Sequence, residues 1–140
     1  MGLTKKIKSI VAQRAHYCCE YCRSQEEYSS SSFSVDHIVP SVKSGDDDLE
    51  NLCYACQACN NYKYTDTATT DLISGEETPL FHPRKHFWGE HFIWNEDSTE
   101  LIGITPIGRA TIFKLRLNRA GVKNLRRVLQ RLGLHPPKMG

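Results

Sequence analysis

Two Cys-x-x-Cys pairs, Cys19/Cys22 in CEYC and Cys56/Cys59 in CQAC, can bring four thiolates to one ion, the donor set of a closed tetrahedral zinc site. With every coordination position taken by sulfur, such an ion staples the chain and activates no water. Between and beside the pairs stand Asp36, His37, Asn51, Asn60 and Lys63, a set suited to hydrolysing a phosphate ester. That reaction needs a positioned water, neutralisation of charge on the phosphoryl oxygens and help for the departing alkoxide. Asp36 and Asn60 offer two oxygen ligands to a hard divalent ion and leave room for water and phosphate. A neutral His37 can take the proton from the attacking water. The Asn51 amide suits holding either its own loop or the His37 carbonyl. Lys63 can contact phosphate or support Asp36.

The elements that must position these groups follow from local pattern. Residues 4–15 place Ile7, Ile10 and Val11 on one helical face, with Thr4 as N-cap. His16 then reads as a turn residue, because four cysteines already fill the zinc site. Residues 24–32, SQEEYSSSS, lack apolar periodicity and suggest an exposed, mobile connection. Phe33, Val35 and His37 alternate against Ser34, Asp36 and Ile38, so a strand sends Asp36 and His37 to opposite sides. Both can serve one ion only if the strand twists or ends near them, and Pro40 supports such an ending. A polar loop bends at Gly45, and Leu49 and Leu52 bracket Asn51. A helix is expected from Tyr54 to about Lys63, with Cys56, Cys59, Asn60 and Lys63 on one face. A short helix over 70–74, a hairpin of HFIW and LIGIT around NEDSTE, and a basic amphipathic segment carrying Val122, Leu125, Leu129 and Leu132 complete the reading, with a break at Gly121.

Size and composition bound the function. At 140 residues and 39% hydrophobic content the chain is one ordinary domain, or a small catalytic module with an appendage, whose core a zinc ion would reinforce. No run approaches a membrane span. The N-terminal stretch lacks the pattern of a secretory signal, which points to the cytoplasm and to thiols in place of disulfides. Cys18 and Cys53, outside both pairs, read as buried small hydrophobes. All 16 acidic residues lie in the first 100 positions, whereas residues 101–140 carry nine Lys or Arg and no acid. A polyanion would therefore meet the second part first, with Arg109, Arg116, Arg119, Arg126 and Arg127 as phosphate contacts alongside Lys63. Phe87, Trp88, Phe92 and Trp94 read as core or interface residues. The irregular spacing of His82, His86 and His91 argues against a second metal site.

CEYC at 19–22, DHIVP at 36–40, ENL at 50–52 and CQACNNYK at 56–63 together resemble HNH endonucleases of the four-cysteine zinc type. The resemblance is specific over residues 14–63 and weaker over the C-terminal part. It implies an α+β fold with a small ββα-metal core, in which His37 is the general base, Asn51 the orienting residue, and Asp36 with Asn60 hold the catalytic ion. Asn60 stands where the family more often has its last His, which favours Mg²⁺ or Mn²⁺. The loop GDDDLEN departs from the family's more usual glycine pair. Residues 1–66 would form the zinc-stapled nuclease core with its N-terminal helix, and residues 67–140 a hairpin and basic helical extension packed on it. The substrate would be DNA, with RNA as the second candidate. A zinc-stapled binding module that does not cut is the competing reading, but binding alone needs none of Asp36, His37, Asn51 and Asn60. A purely structural zinc module would leave the C-terminal arginines unused.

Overall fold

The structure, a computed structural model, describes residues 3–139. Helix α1 (Lys5–Arg14) starts at Thr4, whose hydroxyl accepts from the Ile7 amide at 3.2 Å and satisfies one of the donors a helix start leaves open. Its buried face, Val11 and Ala12, packs on the antiparallel pair β1 (Ser34–His37) and β2 (Leu52–Ala55). In that pair Asp36 lies opposite Cys53 and His37 opposite Leu52. All four residues of β2 are buried, so the expected helix over Tyr54 and Ala55 is displaced by a strand that gains both a partner and a core. Helix α2 (Gln57–Lys63) begins one residue after β2, and Cys56 caps it by accepting from the Cys59 amide at 3.4 Å. In succession β1, β2 and α2 make the expected ββα unit.

The link over residues 24–32 is more ordered than its composition suggests. It carries a 3₁₀ turn at Glu26–Tyr28. The Glu26 carboxylate accepts from the Phe33 amide and the Tyr54 hydroxyl, each at 2.7 Å, tying the link to β2.

Further along, β3 (Ala68–Thr70) pairs with β4 (Glu77–Pro79), and β5 (Phe92–Trp94) with β6 (Leu101–Gly103), both antiparallel. The second pair is the hairpin expected around NEDSTE. The first replaces the short helix expected over 70–74. There Asp71, 1% exposed, accepts from the Ser74 amide at 3.2 Å and so closes a turn. Helix α3 (Pro106–Leu115) packs on β6, α2, β3 and β4 and is followed by α4 (Ala120–Arg131). The break between them lies at Arg116, whose φ of +50° is left-handed, and Gly121 sits inside the first turn of α4. Fully buried Leu117 pins that corner. Val11, Tyr21 and Leu52 share one core with Phe81, Phe92, Leu115 and Leu117. Trp88 stacks near Phe92 and Trp94, with ring centres 5.1 and 5.8 Å apart, whereas Phe87 is exposed and joins no core.

Arg126 does not face solvent as its basic surroundings suggested. With Val122 and Leu129 it forms the buried face of α4. Its guanidinium donates to the Thr99 and Cys22 carbonyls at 3.0 and 3.1 Å and to Asn118 Oδ1 at 3.2 Å, and lies 5.0 Å from the Trp94 ring centre. Burial pulls its pKa down to about 10, so at neutral pH the cation persists and depends on those acceptors. Arg126→Ala should therefore cost about 2–4 kcal/mol in a urea titration, because charged hydrogen bonds are lost and buried acceptors are left unpaired. Arg127→Ala, at an exposed position, should stay within about 0.5 kcal/mol. Equal unfolding midpoints for the two variants would contradict this role for Arg126.

Candidate functional site

The cysteine sulfurs of Cys19, Cys22, Cys56 and Cys59 lie within 4.8 Å of one another, and all four residues are buried. All six cysteines of the chain are free thiols. A tetrahedron with Zn–S bonds of about 2.3 Å has edges of about 3.8 Å, and the Cys22 and Cys56 sulfurs are 3.7 Å apart. The donor set thus fits one zinc ion, and among the described residues it is the one cluster of three or more His, Cys, Asp or Glu able to hold a metal. Burial raises the Cys19 thiol, while hydrogen bonding, from Cys19 foremost, lowers Cys22. Arg119 faces the same sulfurs, with Nη2 3.4 Å from Cys56 Sγ and Nη1 3.8 Å from Cys59 Sγ. A zinc ion with four thiolates carries a net charge of about −2, so this guanidinium belongs to the staple, and its expected role as a phosphate contact gives way.

The strand divides Asp36 from His37, as its alternation requires. Asp36 is 6% exposed, and its Oδ2 accepts from the Tyr21 hydroxyl at 3.1 Å, faces the Cys53 thiol at 3.7 Å and pairs with Lys63 Nζ at 3.2 Å. All three partners engage Oδ2. Burial pushes the Tyr21 phenol and the Cys53 thiol well up, so both remain neutral donors to the carboxylate. Lys63 is 1% exposed and also donates to the His37 carbonyl at 3.2 Å. Of its two expected roles it performs the internal one, and its assignment to nucleic acid is corrected by its burial.

His37 turns to the other side, into a cleft of about 650 Å³ that Asn60 and Val35 also line, together with Lys8 and Ser9 of α1. The fold brings His37 and Asn60 together there, and Asp36 is not in the lining. The Asn51 amide donates to the Val39 and Asp46 carbonyls at 3.0 and 2.7 Å, and its oxygen accepts from the Val39 amide at 2.9 Å. Asn51 therefore clamps the loop to the end of β1, while the His37 carbonyl goes to Lys63. Leu52 anchors this clamp from the core, but Leu49 is 38% exposed and outside that core. Gly45 fits beneath because a Cβ there would lie 1.7 Å from the Val39 carbonyl oxygen. The clamped loop delivers Asp47, whose Oδ1 is 2.7 Å from His37 Nε2.

The remaining basic residues divide by partner. Arg109 makes a two-pronged bond to Asp71, at 3.1 and 2.8 Å, so its charge is spent inside the protein. Arg116 is exposed, 4.9 Å from the Tyr62 ring centre, and Arg127 is exposed. Of the basic residues expected to meet nucleic acid, these two keep an accessible charge. The rings of His82, His86 and His91 do gather, at 6.2 and 5.2 Å. Their Nδ1 atoms are taken: His82 accepts from the Arg84 and Lys85 amides, His86 from the His82 amide, and His91 bonds Thr105 Oγ1. Burial first, then the Lys85 charge, lowers His82 to about 4, and with these bonds made the trio forms a structural knot.

Residues 19–66 match the family model described as HNH endonuclease. The match is confined to this segment, about a third of the chain. No curated protein and no solved structure matches the chain. The HNH segment runs from the first zinc cysteine through β1, the clamped loop, β2 and α2, so it holds every residue of the cleft and staple except Arg119, Leu3, Lys8, Ser9 and Ala12. Among the described residues no helix is long and apolar enough to cross a membrane. Three of the residues now seen at the HNH segment's working parts escape a reading by spacing: Tyr21, Asp47 and Arg119. Tyr21 stands between two zinc ligands, and its size was the available signal. Asp47 is one of three successive aspartates and Arg119 one of nine basic C-terminal residues, so neither is distinguishable without the fold.

Proposed function

We propose that the protein is a metal-dependent DNA endonuclease, with residues 1–66 as its catalytic part and residues 67–140 as its packed extension. The observation that carries this reading is the shared cleft of His37 and Asn60, built inside a zinc-type HNH segment. His37 Nδ1 has no hydrogen-bond partner among the described residues, and a base needs such a bare nitrogen. The proton of a water passes to Nδ1, the water oxygen bonds to phosphorus, and the phosphorus–oxygen bond to the leaving strand breaks. The departing alkoxide then takes a proton from solvent. Asn60 and Asp36, the two oxygen donors that the family resemblance assigns, would hold the Mg²⁺ or Mn²⁺. Such an ion, when bound, supplies charge neutralisation at the phosphoryl and leaving oxygens. Arg116 and Arg127 remain to grip phosphate along the strand.

The Asp36–Lys63 pair favours a second reading, a nucleic-acid-binding module that does not cut, because an ammonium 3.2 Å from the carboxylate opposes a second cation there. A nicking assay on supercoiled plasmid separates the two. Cutting is expected with Mg²⁺ or Mn²⁺ and not with chelator. Binding without cutting on every DNA and RNA tried would establish the second reading instead.

A further inference from the structure

The aspartate run after β1 brings one member, Asp47, onto His37. We infer that Asp47 is a positioning residue for His37: it holds the ring through Nε2–H and thereby presents Nδ1 as the bare nitrogen that receives the proton. This rests on the nuclease reading above and deepens it. A carboxylate at neutral pH only accepts hydrogen bonds, so the 2.7 Å contact between His37 Nε2 and Asp47 Oδ1 places the ring hydrogen on Nε2. In a neutral imidazole the other nitrogen is then the acceptor. An accepting carboxylate behind a catalytic imidazole fixes its tautomer and faces the positive charge the ring acquires on taking a proton.

Asp47 reaches this place through a built loop. Asn51 fastens Asp46 and Val39 together, Gly45 passes under the Val39 carbonyl where no side chain fits, and Asp46 Oδ1 accepts from the Asp48 amide at 3.1 Å. Val39, Gly45, Asp46 and Asn51 are thus spent on aiming one carboxylate. Its side chain is 62% exposed against 27% for His37. An ion pair so open to water adds little to stability, and Asp47 variants should fold.

The test uses the full zinc-loaded chain in three variants. Asp47→Ala removes the acceptor, Asp47→Glu returns a carboxylate, and Asp48→Ala removes the same charge without touching His37. In histidine-labelled protein, nuclear magnetic resonance should show a hydrogen-bonded His37 Nε2–H in wild type and Asp48→Ala, lost in Asp47→Ala and at least partly regained in Asp47→Glu. In plasmid nicking, kcat should fall by about 10–100-fold in Asp47→Ala with KM unchanged or lower. Asp47→Glu should recover part of the rate, and Asp48→Ala should cut like wild type. Persistence of the His37 Nε2–H signal in Asp47→Ala, or an unchanged kcat, overturns the inference. If wild type cuts nothing, the nuclease reading fails by itself. The resonance comparison still decides in that case: loss of the signal in Asp47→Ala supports the held ring, and its persistence overturns it.

Discussion

Cys22→Ser and Cys56→Ser are each expected to lose bound zinc and cooperative unfolding together. The two sulfurs are 3.7 Å apart although 34 positions separate them in the chain, so the ion closes the loop that contains β1, the clamped loop and β2. Serine preserves size but offers no thiolate. Zinc in small structural sites contributes about 10–16 kcal/mol of apparent binding energy at neutral pH, against about 5–15 kcal/mol for the whole stability of a typical domain. Losing even half of that, about 5–8 kcal/mol, is comparable with the whole stability of such a domain. Arg119 makes the loss worse, since the sulfurs it faces, Cys59 and, in Cys22→Ser, Cys56, would no longer be made anionic by the metal. Metal analysis after gel filtration should give about one zinc per wild-type chain and none in the variants, with thermal melts turning from sigmoidal to gradual. Variants that melt cooperatively without zinc would show that the core stands alone, and wild type folded without zinc would remove the site.

The second large effect concerns His37→Ala. The side chain lines the cleft and its loss leaves the zinc sulfurs, Asp36, Lys63 and Asn60 in place. Zinc content and melting temperature should therefore match wild type, and divalent-ion binding should survive. Nicking should fall by about 10²–10⁴-fold, the usual worth of a positioned general base. Asn60→Ala makes the complementary comparison, keeping the base while weakening affinity for the catalytic ion. Equal nicking by wild type and His37→Ala, both folded and zinc-loaded, would mean that another group takes the proton.

Much of this was legible in the chain itself. The four cysteines declared their clustering because two equal short spacings of a soft ligand suit one tetrahedral zinc ion. The division of Asp36 from His37 followed from strand alternation, and the cap at Thr4 and the hairpin around NEDSTE from local chemistry. Tertiary structure alone decided what each charged group faces. Arg126 and Arg127 are neighbours in sequence, yet one is buried under three acceptors and the other is exposed. Lys63 lies on the expected helix face, but only the packing of α2 against β1 turns it into the partner of Asp36. Tyr54 left its expected helix because β1 offered it a strand partner and a core. Periodicity reports which face a residue occupies, and that is a property of the local backbone. Whether a charge on that face meets water, a carbonyl, a thiolate or an imidazole depends on segments tens of residues away, and their arrival is settled by the burial and hydrogen bonding of the whole chain.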